Sequence, residues 1–340
     1  MEESQPQLAL SDRNEILSTC TIDLGQVRFA KDAIVAFASE FDPQPFHVDD
    51  EAARSTLLEG LAASGWHTCA MVMKRLDNAV AQKALTLQPA GAESIIWARP
   101  VRPDDVLECR ATFAQALPCR CGDKARRVIV EAFNQKDEIA MRCHLDCIVS
   151  EVRSSRNAGE GNCTLKRGRP ARVKRLPVSH ALRHFDDVSP GEEIALGEYA
   201  FTSERVAKFG AHLGANEAHG AADLGTGNPI APEVRPWHLT AAWMQRMVVY
   251  YEQEGDRLRS MGRPVPTLGP AAGVKHLRWH RPVHVGETIT FRGWAERKIE
   301  IATKSGWGML IVGAEGLDAD GDTVVSFYPQ MLLERTAEAC

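Results

Sequence analysis

Residues 95–113, IIWARPVRPDDVLECRATF, are echoed by residues 277–295, LRWHRPVHVGETITFRGWA. Trp97, Arg99, Pro100 and Val101 fall on Trp279, Arg281, Pro282 and Val283 at one constant offset. Two further echoes keep the same order. GWHTCAM at 65–71 matches PWHLTAA at 236–242, and RFAKDAIVAFASEF matches YAFTSERVAKFGAHL, where Phe29 meets Phe201. One such match arises by chance; three in order indicate an internal duplication. A chain of 340 residues has room for two domains at roughly 150 residues each. The duplication predicts an N-terminal unit at 1–150, a linker at 151–180 and a C-terminal unit at 181–340. Residues 153–175 of the linker are basic, with Glu160 the one acid among them, and the linker reads as a solvated connection over the surface.

Each unit predicts the same run: strand, short helix, loop, long helix, then several strands. In KDAIVAFASEF the apolar Ile34, Val35, Phe37 and Phe41 recur at helical steps. Asp49 or Asp50 can cap a second short helix running to Leu57. From Gly65 to about residue 80, Trp66, Cys69, Ala70, Met73 and Leu76 keep the three- and four-residue rhythm of a buried helix. Its counterpart begins at Pro236, a favoured first helical residue. In IAMRCHLDCIV, Met141, Cys143, Leu145, Cys147 and Val149 alternate with Arg142, His144 and Asp146, which predicts an antiparallel strand wet on one face. A long apolar helix followed by such strands is an α+β pattern, a sheet wrapped around a helix. Neither unit has a Gly-rich phosphate loop, so dinucleotide and P-loop folds are unsupported.

The chemistry concentrates in Phe41-Asp42-Pro43-Gln44-Pro45-Phe46-His47-Val48-Asp49. Two prolines, each pushing its predecessor toward extended geometry, predict a stiff non-helical loop that presents Asp42 and His47 together. A carboxylate and an imidazole held side by side form an acid–base device for moving protons to and from water. His67 on the long helix reads as a packed or locally bonded side chain. Trp97, Trp279, Met71, Met73, Met244 and Met247 read as core; Arg99 and Arg102 could meet phosphate groups but read first as a solvated basic strand end.

Bulk properties narrow the classes. Apolar residues make up 44% and charged residues 25%, ordinary for a globular chain with a real core. The net charge of −5 argues against a nucleic-acid grip by the whole protein. Arg167-Gly168-Arg169-Pro170 resembles the core of a minor-groove AT-hook, but no helix-turn-helix pattern accompanies it. No apolar run approaches the roughly 18 residues that span a bilayer, and MEESQPQLAL lacks the pattern of a secretory signal. Nine cysteines, with only a C-x-C at Cys119 and Cys121, offer no zinc spacing and fit a reducing cytoplasm.

FDPQPFHVDDEAA, GLAASGWHT and WARPVRPDD together resemble the MaoC-like acyl dehydratases, the family of (R)-specific enoyl-CoA hydratases. The resemblance is strong over residues 20 to 150 and weaker from 185 to 335. It implies a double hotdog: two curved antiparallel sheets, each around a central helix. It implies a hydro-lyase acting on an enoyl thioester carried on CoA, or alternatively on acyl carrier protein. Neither metal nor cofactor is implied; a homo-oligomer is left open. The family's Asp and His map onto Asp42 and His47, and Gln44 stands where many members have Asn. The Ser or Gly used at the start of the central helix maps onto Ser64 and Gly65. Catalytic work is thus expected of Asp42, His47 and the Gly65 N–H, and substrate contact of Gln44, Ser64, Trp66 and Arg99. In the second unit His219 falls opposite His47, but Gly214 falls opposite Asp42. Glycine cannot activate water, so one site per chain is expected, with residues 220 to 236 as a loop over it.

Two rivals stand beside this reading. A hotdog thioesterase places a catalytic acid on or beside the central helix; Asp77 lies near the far end of that helix, a poor position for it. A non-catalytic acyl-CoA-binding regulator would contact DNA through the basic linker.

Overall fold

The computed structural model describes residues 20–117, 125–151, 182–214, 233–304 and 306–336. Most of the basic linker, His219, Cys119 and Cys121, and most of the 220–236 stretch lie outside the described residues. The first unit runs β1 (Cys20–Arg28), α1 (Lys31–Phe41), α2 (Pro45–Val48), α3 (Asp50–Arg54), α4 (Gly65–Gln82), β2 (Leu85–Trp97), β3 (Val106–Ala116), β4 (Ala125–Phe133) and β5 (Ile139–Glu151). The second runs β6 (Glu193–Ala200), α5 (Ser203–His212), α6 (Pro236–Ser260), β7 (Leu268–Trp279), β8 (Thr288–Glu300), β9 (Trp307–Leu317) and β10 (Thr323–Glu334).

All ten strands join one antiparallel sheet in the order β1-β3-β4-β5-β2-β7-β10-β9-β8-β6. The order reads the same from either edge, with the seam at β2 and β7, where Ala92 pairs with Leu277 and Ile95 with Val274. Across this seam Glu93 meets Arg278 at 3.6 Å and His276 at 3.1 Å, and it also meets Arg127 of β4 at 3.5 Å. The fold is the double hotdog that the family resemblance implies, its two expected sheets joined edge to edge into one through β2 and β7.

The duplicated residues make duplicated contacts. Trp66 meets Trp97 edge-to-face at 5.3 Å, and Trp237 meets Trp279 in the same way at 4.9 Å. His67 stacks on Phe37 at 4.5 Å, and His238 stacks on Phe209 at 4.4 Å. Phe29 meets His67 edge-to-face at 5.4 Å, and Phe201 meets His238 in the same way at 5.0 Å. Aromatic pairs of this geometry contribute about 0.5–1.5 kcal/mol each beyond their area burial, which fixes how each central helix sits under its short helix. Helices α1 and α5 then face each other, with Phe41 against Phe209 and Glu40 bonded to His212 at 3.2 Å. The methionines behave as expected: Met73, Met244 and Met247 are buried, and Met71 packs against the core.

Three local expectations need correction. The Asp/His segment is not a loop throughout: Pro43 ends α1, but Pro45 is the first residue of α2, a single turn that carries His47. Proline at that place loses no hydrogen bond, because the first helical N–H groups have no intrahelical acceptor. The next helix stops at Arg54, not Leu57. Asp146 is buried rather than wet, because Arg127 on β4 grips it with two hydrogen bonds of 2.9 and 3.3 Å.

Candidate active site

The site is assembled by helix ends. Asp42 is the C-cap of α1: its N–H still donates to the Ala38 carbonyl at 2.8 Å, while its backbone has left the helix ahead of Pro43. Two residues later α2 begins, and its one turn aims the His47 ring back toward Asp42. Asp49 then closes the segment by accepting from the N–H groups of Glu51 and Ala52 at the start of α3. Burial of Phe46, edge-to-face with His47 at 4.5 Å, anchors the turn.

The result is a buried polar cluster in a largely apolar setting. Asp42 is 4% exposed, His47 6%, Gln44 6% and Ser64 0%. Each carboxylate oxygen of Asp42 has a donor: Gln44 Nε2 gives to Oδ1 at 2.8 Å, and Ser64 Oγ gives to Oδ2 at 2.7 Å. His47 Nδ1 lies 2.7 Å from the Ala62 carbonyl oxygen. A carbonyl only accepts, so Nδ1 carries the proton and Nε2 is the nitrogen that faces Asp42. Nε2 and Asp42 Oδ2 are 3.4 Å apart, longer than a good hydrogen bond. The two groups are close without consuming each other, and both can address a third atom.

Ser64 links this pair to the central helix. It is the N-cap of α4 and accepts from the Trp66 N–H at 3.2 Å while donating to Asp42. Among the described residues no acceptor is paired with the Gly65 N–H, the first donor of α4. It stands at the positive end of an 18-residue helix. A Cβ on Gly65 would come within 2.4 Å of the Trp97 indole, so glycine is required here by the close approach of that ring.

Gln44 holds a further asset. A carboxylate accepts only, so the amide must turn Nε2 toward Asp42, leaving Oε1 buried and without a partner. Leaving such an acceptor unsatisfied costs roughly 1–3 kcal/mol, which a ligand donor would recover.

Asp42, Gln44, His47, Ser64 and Gly65 are thus brought together, while Trp66 and Arg99 are not part of the cluster. Trp66 is buried between Trp97 and Phe327. Arg99 is exposed beyond the end of β2, 3.6 Å from Glu138. Arg102 departs from the solvated strand end expected of it. It is half-buried and donates to the carbonyls of Leu58, Gly60 and Leu61, fixing the segment that delivers Ala62 and Ser64. His67 packs as expected; burial, with the nearby His212 and His47, drives its pKa down to about 3. In the second unit Gly214 lies two residues past the end of α5, with φ of 64°, and Lys74 donates to the neighbouring Leu213 carbonyl at 2.6 Å. Sequence reasoning missed the Ala62 carbonyl and Arg102; the first is a backbone atom with no sequence signal, and the second was a basic residue like many others.

A family model described as MaoC like domain matches residues 12–132. The uncharacterised protein YdeM of Bacillus subtilis (strain 168) is 31% identical over 111 residues, 33% of this chain and 79% of that protein. Two solved structures share the architecture over nearly the whole chain. One is a MaoC domain protein of Chloroflexus aurantiacus J-10-fl, 15% identical, covering 94% of this chain and 96% of its own, with a TM-score of 0.66. The other is RV0216 of Mycobacterium tuberculosis, described as a double hotdog fold, 12% identical, covering 93% and 96%, with a TM-score of 0.63. Among the described residues no helix is long and apolar enough to cross a membrane, and no group of His, Cys, Asp and Glu is placed to hold a metal ion.

Proposed function

We propose, from the premise that this chain belongs to the MaoC-like family, that it adds water reversibly across the double bond of a 2-enoyl thioester. The observation that carries the reading is Asp42 Oδ2 held 3.4 Å from His47 Nε2 beside the unpaired N–H of Gly65. Asp42 orients the water and takes its proton as the water oxygen bonds to the β carbon. His47 Nε2, unprotonated at rest because its ring is fixed by the Ala62 carbonyl, takes that proton on from Asp42 and delivers it to the α carbon. The sum is one water added to the alkene, and the reverse path dehydrates the 3-hydroxyacyl thioester. Positioned acid–base groups of this kind are worth about 10²–10⁴ in rate. The Gly65 N–H meets the charge that develops on the thioester oxygen, a contact worth roughly 2.7–4 kcal/mol where it has been removed by mutation in another enzyme. Gln44 Oε1 receives an N–H or O–H of the substrate.

On this reading the N-terminal unit, 1–150, is catalytic and the C-terminal unit, 181–340, is scaffold, with the acyl group carried on CoA or acyl carrier protein. The free cysteines of the described residues suit a reducing cytoplasm. The test is a panel of trans-2-enoyl-CoAs of graded size, followed by loss of absorbance at the conjugated double bond, with Asp42→Ala as control. Hydration of at least one member, abolished by the substitution, supports the reading; none hydrated by folded protein rejects it.

One observation favours a second reading. Asp77, near the far end of α4, lies 4.0 Å from Arg235, the residue that opens α6. A carboxylate beside the amino end of a central helix suits thioester hydrolysis. Release of free thiol that is lost in Asp77→Asn and kept in Asp42→Ala would replace the hydratase by a thioesterase.

A further inference from the structure

The two units are related by an approximate two-fold axis, and mates across it touch. Phe37 and Phe209, counted at the spacing of Phe29 and Phe201, meet at 6.1 Å, and Glu40 bonds to its own mate, His212, at 3.2 Å. A contact made on one side of such an axis is repeated by the mates on the other.

The axis brings the middle of each central helix to the opposite unit. Lys74 of α4 donates to the Leu213 carbonyl at 2.6 Å, and its Nζ would lie 3.9 Å from a Cβ on Gly214. One turn on, Asp77 lies 4.0 Å from Arg235, the N-cap of α6. Counted at the spacing of Trp66 and Trp237, the mates of Lys74 and Asp77 are Gln245 and Val248 of α6. The mates of Leu213 and Gly214 are Phe41 and Asp42, and the mate of Arg235 is Ser64, the N-cap of α4. Gln245 thus faces Phe41 and Asp42, and Val248 faces Ser64. Phe41 already meets His238 at 5.4 Å, on the same stripe of α6 two turns before Gln245.

The mates differ in ways that open the catalytic side. His67, Met71 and Lys74 along α4 answer to His238, Ala242 and Gln245 along α6. Alanine replaces methionine, and the glutamine side chain is one bond shorter than lysine. Lys74 is tied to Leu213, whereas Gln245 is unspent. Among the described residues neither amide atom of Gln245 has a hydrogen-bond partner. The oxygen is enclosed, so the nitrogen, with two donors, is the open end of a half-buried side chain. A lysine at this place would pair with Asp42 and weaken it as a base; an amide donates without a charge.

We propose that Gln245, supplied by the second unit, is a catalytic residue of the Asp42–His47 centre. Its amide N–H joins the Gly65 N–H on the thioester carbonyl oxygen, and the two donors together hold the charge that builds there. Side-chain amides and backbone N–H groups are the usual members of such a pair. The assignment rests on the hydration reading and adds to it a group from the unit that otherwise serves as scaffold.

The experiment uses the full chain and a trans-2-enoyl-CoA that the parent hydrates. Gln245→Met keeps the bulk and removes the donor. It lowers kcat about 10²–10³-fold, the effect of losing one such donor, with KM within twofold and urea unfolding unchanged. Infrared spectra of the same enoyl-CoA bound to Asp42→Ala show the thioester C=O stretch below its frequency in water, and adding Gln245→Met reverses part of that shift. Gln245→Leu gives the same comparisons should Gln245→Met fail to fold. With an active parent, any one of three results overturns this proposal alone: parent kcat in the folded variant, a loss confined to KM, or a C=O frequency that ignores the substitution. A folded parent that hydrates no enoyl-CoA rejects the hydration reading, and this proposal with it.

Discussion

Acid should destabilise this fold through two histidines that take no part in the chemistry. His67 and His238 lie under Phe37 and Phe209, about 1% and 0% exposed. Neither nitrogen of His67 has a partner, and His238 has one, the Tyr199 hydroxyl at 3.1 Å. Burial holds both rings down to about 3, helped by His212 and His47 at His67 and by Arg205 at His238. An unfolded histidine takes its proton near 6.5. Above that value neither state is protonated and the rings contribute nothing to the pH dependence. As pH falls below it, the unfolded chain binds protons that the folded chain refuses, and stability is lost until the folded rings titrate near 3. At pH 5 the deficit is about 1.5 pH units for each ring, or about 2 kcal/mol at 1.36 kcal/mol per unit. The two together remove about 4 kcal/mol, a large part of the 5–15 kcal/mol typical of a folded domain. Urea unfolding at pH 7 and pH 5 measures the loss. His67→Phe and His238→Phe each keep the aromatic packing and remove one titrating ring, so each should shrink the pH 7-to-5 loss by about 2 kcal/mol. If both variants lose as much stability as the parent, the buried neutral rings are not the cause.

Two further substitutions probe the site's construction. Ser64→Ala removes the cap of α4 and one donor to Asp42. It should cost about 1 kcal/mol in denaturant unfolding and lower the hydration rate about tenfold. Gly65→Ala forces a Cβ into the Trp97 ring and should cost about 1–3 kcal/mol; Trp97→Leu in the same chain should restore most of that loss, as a double-mutant cycle of unfolding free energies would reveal.

The duplication was legible because its markers are large aromatics. Trp66 with Trp97 and Trp237 with Trp279 build the same contact twice, so their spacing in the chain carried the architecture. The convergence of Asp42, Gln44 and His47 was legible through Pro43 and Pro45, which leave the chain few conformations. What Pro45 does there was misread: as a first helical residue it starts a turn, and only the position of the next hydrogen bond separates starting from breaking. Asp146 was misplaced for a related reason. Alternation in β5 predicts a wet face, but the Arg127 that lets a carboxylate be buried lies on another strand. The rest of the site rests on atoms without sequence signatures: the Ala62 carbonyl that fixes the His47 tautomer, and the Gln44 oxygen left unpaired by the orientation of its own amide.

The central claim is that Asp42 and His47 act on one water. The most direct measurement is steady-state hydration of a trans-2-enoyl-CoA by Asp42→Asn, set against the parent chain at equal folded concentration. The substitution keeps the size of the side chain and its contacts with Ser64 and Gln44 within reach while removing the base. The account predicts a fall in kcat of about 10²–10⁴ with circular dichroism unchanged. A folded Asp42→Asn enzyme that hydrates at the parent rate would contradict it.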